Sequence, residues 1–392
     1  MKRSMSIIFM MATILSVCVS PCVKVLNTED TAVSAQVCDG TYYTEDEDSV
    51  TITLAGDTGE EAVIPESIAG KPVRCISDGA FSEYRGELRK VVLPSTVEVI
   101  GDNAFAGCSG LREIDLENVR SIGAGAFMDC GLGTVRLGAQ LEEIGERAFS
   151  GNIGAVFETD SSNKSFMTDS GSIYTADGSR LIRAAFGLRS IDIPETVTCI
   201  AGGAFENCAH LTELDIPDSV SEIGSYAFNG CGSLKRVSLP QGLKRIEEYT
   251  FGSCGLLEDI RLPDGLTFIG REAFAGDGSL MTLTIPDTVS EIGVCAVGYV
   301  YYEEDAVEPD KGFVLRCGEG TVAHGYALEN DIRCEIIPDG ESSRTEDSSQ
   351  RQDEGQKISV LPAAGLGCCI AAALVLVFIR LRAACVRRKV RR

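Results

Sequence analysis

The sequence predicts an α/β-type repeat solenoid: short parallel strands stacked coil on coil, an inserted β-hairpin region, end caps and a single C-terminal transmembrane helix. Three observations in the 392-residue chain predict it. A phenylalanine recurs at a near-constant step, an isoleucine stands five residues before each one, and 22 uncharged residues at 358–379 precede an arginine-rich end.

Ala-Phe pairs end at Phe81, Phe105, Phe127, Phe149, Phe205, Phe228 and Phe274, and Thr250-Phe251 fills the same slot, so the steps are 24, 22, 22, 56, 23, 23 and 23 residues. The isoleucines are Ile76, Ile100, Ile122, Ile144, Ile200, Ile223, Ile246 and Ile269, and Ile292 with Ala296-Val297 makes a ninth, worn copy. In the unit around Phe228, Leu214 and Ile216 share one face of a short strand while Glu213 and Asp215 share the other. Pro217 has no N–H for a ladder and stops that strand. Val220 and Ile223 start a second inward stretch, Gly224 allows a tight bend, Ala227-Phe228 fills the interior and Cys231 closes the turn. One such coil cannot bury these groups, but a stack of them forms a continuous core. Nine coils at roughly 4.8 Å each make a rod about 45 Å long.

This unit resembles the BspA-type leucine-rich repeat of bacterial and some protist surface proteins, over about residues 37–337. The resemblance implies a hairpin insertion within the 56-residue step, about 153–187, where Asp177-Gly178 between apolar runs is a hairpin turn signal. It also implies a closing helix and strand within 318–332. The expected organisation is a signal peptide at 1–35, an N-terminal cap at 36–75, repeats at 76–300, a C-terminal cap at 301–337, a flexible stalk at 338–357, the transmembrane segment and a basic tail at 380–392.

The ends carry the address. Lys2-Arg3, an apolar run at 7–19 and Val33-Ser34-Ala35 describe a secretory signal cut after Ala35. At about 1.5 Å per residue, 358–379 is long enough to cross a hydrocarbon core of about 30 Å. Arg380, Arg382, Arg387, Arg388, Lys389, Arg391 and Arg392 follow it, which places the tail in the cytoplasm and everything before it outside. Leu361, Pro362, Ala363, Ala364 and Gly365 resemble the Leu-Pro-x-Thr-Gly sorting signal of Gram-positive surface proteins, with Ala364 in place of threonine. That resemblance implies sortase attachment to the wall; a plain membrane anchor is the other reading.

Charge and composition narrow the function. Residues 37–357 hold 25 basic and 56 acidic groups, net −31, which repels phosphate and excludes nucleic acid as a partner. His210 and His324 are the only histidines, and no nucleophile, base and orienter stand together, so neither an enzyme nor a cofactor or metal site is expected. Cys108, Cys130, Cys208, Cys231 and Cys254 stand three after the repeat phenylalanine, as a metal or disulfide ladder or as small core residues, with Asn152 and Asp277 in the same slot of two coils. Cys317 and Cys334 fall in cap strands and suggest a disulfide.

If the strands align, outward side chains form two columns: Lys90/Val92, Glu113/Asp115, Thr134/Arg136, Ser190/Asp192, Glu213/Asp215, Arg236/Ser238, Asp259/Arg261 and Thr282/Thr284. This is the broad face that solenoids offer to partners. Tyr299, Tyr301 and Tyr302 break the repeat and form either an aromatic contact or the seal of the cap. The expected function is an adhesin-like surface protein binding an extracellular protein or glycan, host matrix included; the alternative is a structural spacer of the envelope without a dedicated ligand.

Overall fold

A computed structural model of the chain describes residues 22–24, 36–38, 41–54, 59–82, 84, 86–302 and 306–338. The apolar segment 358–379, the motif Leu361 to Gly365 and the basic tail lie outside the described residues. Among the described residues no helix is long and apolar enough to cross a membrane. Of the expected leader, the described part is the strand Cys22–Lys24, which pairs antiparallel with Gln36–Cys38.

Each coil has three sides. On the front wall the strands Glu213–Asp215, Arg236–Ser238 and Asp259–Ile260 pair in parallel. Alternation does the rest: Glu213 and Asp215 face water while Leu214 and Ile216 are buried. On the back wall Val99–Ile100, Ser121–Ile122 and Glu143–Ile144 pair through the repeat isoleucine. The third side carries the Ala-Phe turn. It holds no strand, yet its backbone is laddered too, with the N–H of Phe105 donating to Ala126 O and that of Phe228 to Thr250 O, both at 2.8 Å.

Inside, the phenylalanine rings stack. Phe105, Phe127 and Phe149 lie 5.3 and 5.5 Å apart, and Phe205, Phe228, Phe251 and Phe274 lie 5.0, 5.2 and 5.4 Å apart, all close to parallel. These spacings follow the rise of one coil, set by strand pairing at about 4.8 Å.

Glycine and the left-handed corner occupy different slots from the one the repeat suggests. A Cβ on Gly224 would come 2.5 Å from the backbone nitrogen of Gly202, and Gly123, Gly145, Gly270 and Gly293 are as tightly placed against the coil before them. Gly224 is therefore required by the close approach of two coils. The left-handed residue sits two before the phenylalanine in every coil, and Asn103, Arg147, Tyr226, Tyr249, Glu272 and Cys295 adopt it there with φ between 50° and 61°.

The insertion divides the core. One buried cluster runs from Tyr43 to Ile173 and the other from Tyr174 to Ile332. Phe149 ends its stack by packing edge-on against Phe157 at 5.1 Å. The strands Phe166–Asp169, Ser172–Thr175 and Arg180–Arg183 form the expected antiparallel meander, and the last then pairs in parallel with Cys199–Ile200. The expected front strand at Ser190 and Asp192 does not form. The hairpin replaces the coil that would have paired with it, leaving a hydrogen bond from Thr212 N to Arg189 O (3.2 Å) on the other side.

The caps cover the ends of the stack. At the start, Gln36–Cys38, Thr41–Glu45 and Val50–Leu54 pair antiparallel, and the last lies parallel to Lys71–Ile76. At the far end, Tyr299–Tyr302 and Ala306–Pro309 form a hairpin. The helix Val322–Glu329, whose cap Thr321 accepts from the N–H of His324, falls in the expected 318–332, while the strand it leads to, Arg333–Ile336 beside Val314–Cys317, begins just past that range.

Candidate functional site

The front wall aligns the outward residues in register, but in blocks and not as two unbroken columns. Glu61, Lys90 and Glu113 stand in line, as do Glu213, Arg236 and Asp259, while Arg136 stands opposite Glu158. The pairing breaks between Glu113 and Thr134, at the insertion with the missing strand at Asp192, and between Asp259 and Thr282. Within them the charges alternate in sign. Lys90 pairs with Glu61 at 3.2 Å, Arg136 with Glu158 at 3.3 Å and Arg236 with Glu213 at 2.9 Å. All of these side chains are exposed, and such pairs stabilise by about 0–1 kcal/mol.

Carboxylates remain in excess. Glu113, Asp115, Asp192, Asp215 and Asp259 are exposed, and so is Arg261. Asp115 accepts the backbone N–H of Glu117 at 2.9 Å. Around Glu113, Asp115 and Arg136 the wall forms a groove of about 1080 Å³, completed by Lys90, Glu158 and Asp160. A partner laid here meets charged hydrogen-bonding groups on a rigid strand lattice and no aromatic anchor.

The tyrosines divide. Tyr299 is buried, with its hydroxyl donating to Asn330 at 2.8 Å, so it seals the cap. Tyr301 is 39% exposed and donates to Glu272 at 3.0 Å. The side chain of Tyr302 lies outside the described residues.

The cysteine column has a defined task. The thiol of Cys108 donates to Phe81 O, that of Cys130 to Phe105 O, that of Cys231 to Phe205 O and that of Cys254 to Phe228 O, at 3.1–3.2 Å. Each thus satisfies a carbonyl of the preceding coil's turn. Asn152 does the same through its amide, donating to Phe127 O at 2.6 Å. Burial pushes the Cys108 thiol up to about 11 and the Cys231 and Cys254 thiols well above their ordinary value. Asp277 is the odd member. One carboxylate oxygen accepts the Cys254 N–H at 2.8 Å, while the other is buried without a partner, and burial drives the carboxyl well above the usual range.

Cys317 and Cys334 meet in the cap as thiols with their sulfurs 3.3 Å apart. Burial first, and then the bond to Cys334, pushes Cys317 up to about 12. His210 is exposed and meets the edge of Phe186, and His324 accepts the Gly320 N–H at the start of the cap helix. Among the described residues no three metal-ligating side chains come together.

One group was not read from the repeat: the left-handed corner column. The guanidinium of Arg147 lies 4.0 Å over the ring of Tyr226, whose other face stacks on Tyr249 at 4.6 Å. Arg147 also donates twice to Glu206, 59 residues away, at 2.9 and 2.6 Å. The signal was available, since glycine or asparagine fills this slot in other coils and a bulky residue there carries backbone strain.

Residues 65–156 and 183–301, over half of the chain, match the model of the BspA type leucine rich repeat region in six copies. The gap between the two ranges falls within the hairpin insertion. Among solved structures, the pneumococcal vaccine antigen PcpA is similar, with a TM-score of 0.52 and 17% identity over 78% of this chain and 99% of that one. A leucine rich cell surface protein of Faecalibacterium prausnitzii is 23% identical over 70% of this chain and 96% of its own, with a TM-score of 0.44. A leucine-rich repeat protein from Eubacterium ventriosum is 20% identical over 66% and 92%, with a TM-score of 0.39. No curated protein matches the chain.

Proposed function

The chain belongs to the BspA-type leucine-rich repeat family, and from that premise we propose that it is an adhesin-like protein of the cell surface that presents its front wall to an extracellular protein or glycan. The observation that carries this reading is the groove around Glu113, Asp115 and Arg136, where charged side chains stand in register on paired strands. In this reading the leader 1–35 exports the chain, 358–379 holds it in the membrane, and Leu361 to Gly365 offers sortase a cut site. Host matrix is among the partners such a face would meet.

A second reading, a structural spacer of the envelope, is favoured by one feature: the cations of the columns are already matched by carboxylates of neighbouring coils. Binding of the purified chain to immobilised matrix proteins and to surface glycans separates the two. Saturable binding weakened about tenfold by Glu113→Lys, Asp115→Lys or Arg136→Glu supports the first. Binding indifferent to all three sinks it and leaves the spacer.

A further inference from the structure

The back wall has an opening at one coil. Most coils place glycine after the repeat isoleucine, because the coil before leaves no room for a Cβ. The coil of Ile246 carries Glu247 there instead. At that step the wall is unzipped. Glu222–Ile223 belongs to one sheet and Arg245–Ile246 to another, and no backbone pairing joins them. The other two sides stay closed at the same level, through the pairing of Glu213–Asp215 with Arg236–Ser238 and the hydrogen bonds from Tyr226 N to Glu248 O and Phe228 N to Thr250 O. Ser77 and Ala201 also replace the glycine, in coils whose walls stay paired, so the opening coincides with the longer Glu247, whose carboxylate takes the Arg245 guanidinium.

A groove of about 750 Å³ lies over this opening. Its lining sets the small residues Gly202, Ser221, Gly224 and Ser225 beside Ile200 and Ile223. On its rim, Arg180 is held by Glu146 through one terminal nitrogen, while its buried Nε–H has no acceptor. Lys244 and Glu222 also line it, and neither has an ion-pair partner among the described residues. Tyr226 closes one side, fixed edge-on because Arg147 and Tyr249 cover its two faces.

We propose that this back-wall groove is an oligosaccharide site, with Lys244 and Arg180 donating to sugar oxygens and Glu222 accepting from sugar hydroxyls. Charged donors and acceptors side by side suit the paired hydroxyls of a sugar, since charge-assisted hydrogen bonds are the stronger kind. A peptide suits it less. The two closed sides prevent the coils from parting by the roughly 4.8 Å that an added strand needs. The site is separate from the front wall, so its failure would leave the front-wall reading untouched.

The test applies the purified full-length chain to a printed array of bacterial and mammalian glycans, then titrates the strongest glycan by calorimetry. Lys244→Gln and Glu222→Gln should each weaken binding about tenfold, the loss of one charge-assisted bond. Glu247→Gly, which restores the repeat and lets the wall close, should weaken it by at least as much while the melting temperature holds or rises. Glu113→Lys on the front wall should leave the affinity unchanged. No glycan bound, affinity unmoved by Glu247→Gly and Lys244→Gln together, or loss on Glu113→Lys with none on Lys244→Gln would each overturn the proposal. Binding of hexaglutamate with the affinity of the glycan would assign the groove to acidic peptides instead.

Discussion

Arg147 reaches across 59 residues of sequence to Glu206, and their two hydrogen bonds, 2.9 and 2.6 Å long, fasten together the two stacks that the hairpin insertion separates. The carboxylate is almost fully enclosed, at 6% exposure, and the guanidinium is 28% exposed. Nearby, Arg183 is buried and satisfied by the carbonyls of Gly203, Ala204 and Glu206. Where the phenylalanine stack stops, polar groups hold the joint.

Removing one partner leaves the other without its charge. Glu206→Ala should destabilise by about 2–4 kcal/mol, somewhat under the usual figure for a buried pair because Arg147 is partly wet. Urea unfolding should also change in form, from one transition to two, as the stacks lose their fastening. A single transition with an unmoved midpoint would contradict this account of the joint.

Phe228 stacks on Phe205 and Phe251 and is wholly buried. Phe228→Ala should cost about 3–5 kcal/mol, read from urea or thermal unfolding, because the stacked coils cannot collapse into the space. The end of the stack is more forgiving. Phe81→Ala opens a site next to the partly exposed Tyr84 and should cost less than Phe228→Ala in the same measurement.

Asp277 makes stability fall with rising pH. Its carboxyl stands well above the usual range in the folded chain, because burial disfavours the charge. The folded state therefore holds a proton that the unfolded state releases near the ordinary value of about 3.9. The stability linked to that proton is complete below this value and is lost as pH rises toward the folded one. Asp277→Asn supplies an amide in place of the carboxyl, as Asn152 does in its own coil. It should raise stability at pH 7 by about 1–3 kcal/mol and flatten the decline between pH 4 and 7, followed by thermal unfolding across that range. Equal stability of both proteins at pH 7 would rule out a cost from the buried acid.

The thiols should react in two classes. Cys231 and Cys254 are buried and bonded to carbonyls, so iodoacetamide at pH 8 should leave them unlabelled in the native chain and label them in urea. Cys317 and Cys334, with touching sulfurs, should form a disulfide when oxidised glutathione is supplied, detected by non-reducing peptide mapping. Two free thiols after that treatment would mean that the cap strands do not bring them together in solution.

The repeat itself was legible because every coil solves the same problem. Leu214, Ile216, Ile223 and Phe228 must point inward together, and one spacing serves all of the copies. The outward register of Glu213 with Arg236 followed from the same pattern, while the hairpin and the helix Val322–Glu329 followed from the resemblance to the repeat family. The breaks were less readable. Asp192 carries the repeat pattern but forms no strand, because its partner coil was replaced by residues with a different topology.

The sequence by itself determined the period, the direction each side chain faces and the acidity of the exposed walls, since these depend on residue type and local spacing alone. Only the tertiary structure decided what neighbouring coils do to one another. It placed the Cys231 thiol on the Phe205 carbonyl, set Arg147 against both Glu206 and Tyr226, and opened the wall at Glu247. Each of these lies between residues more than 20 positions apart, and its geometry depends on how closely two coils approach, a distance that no single coil encodes.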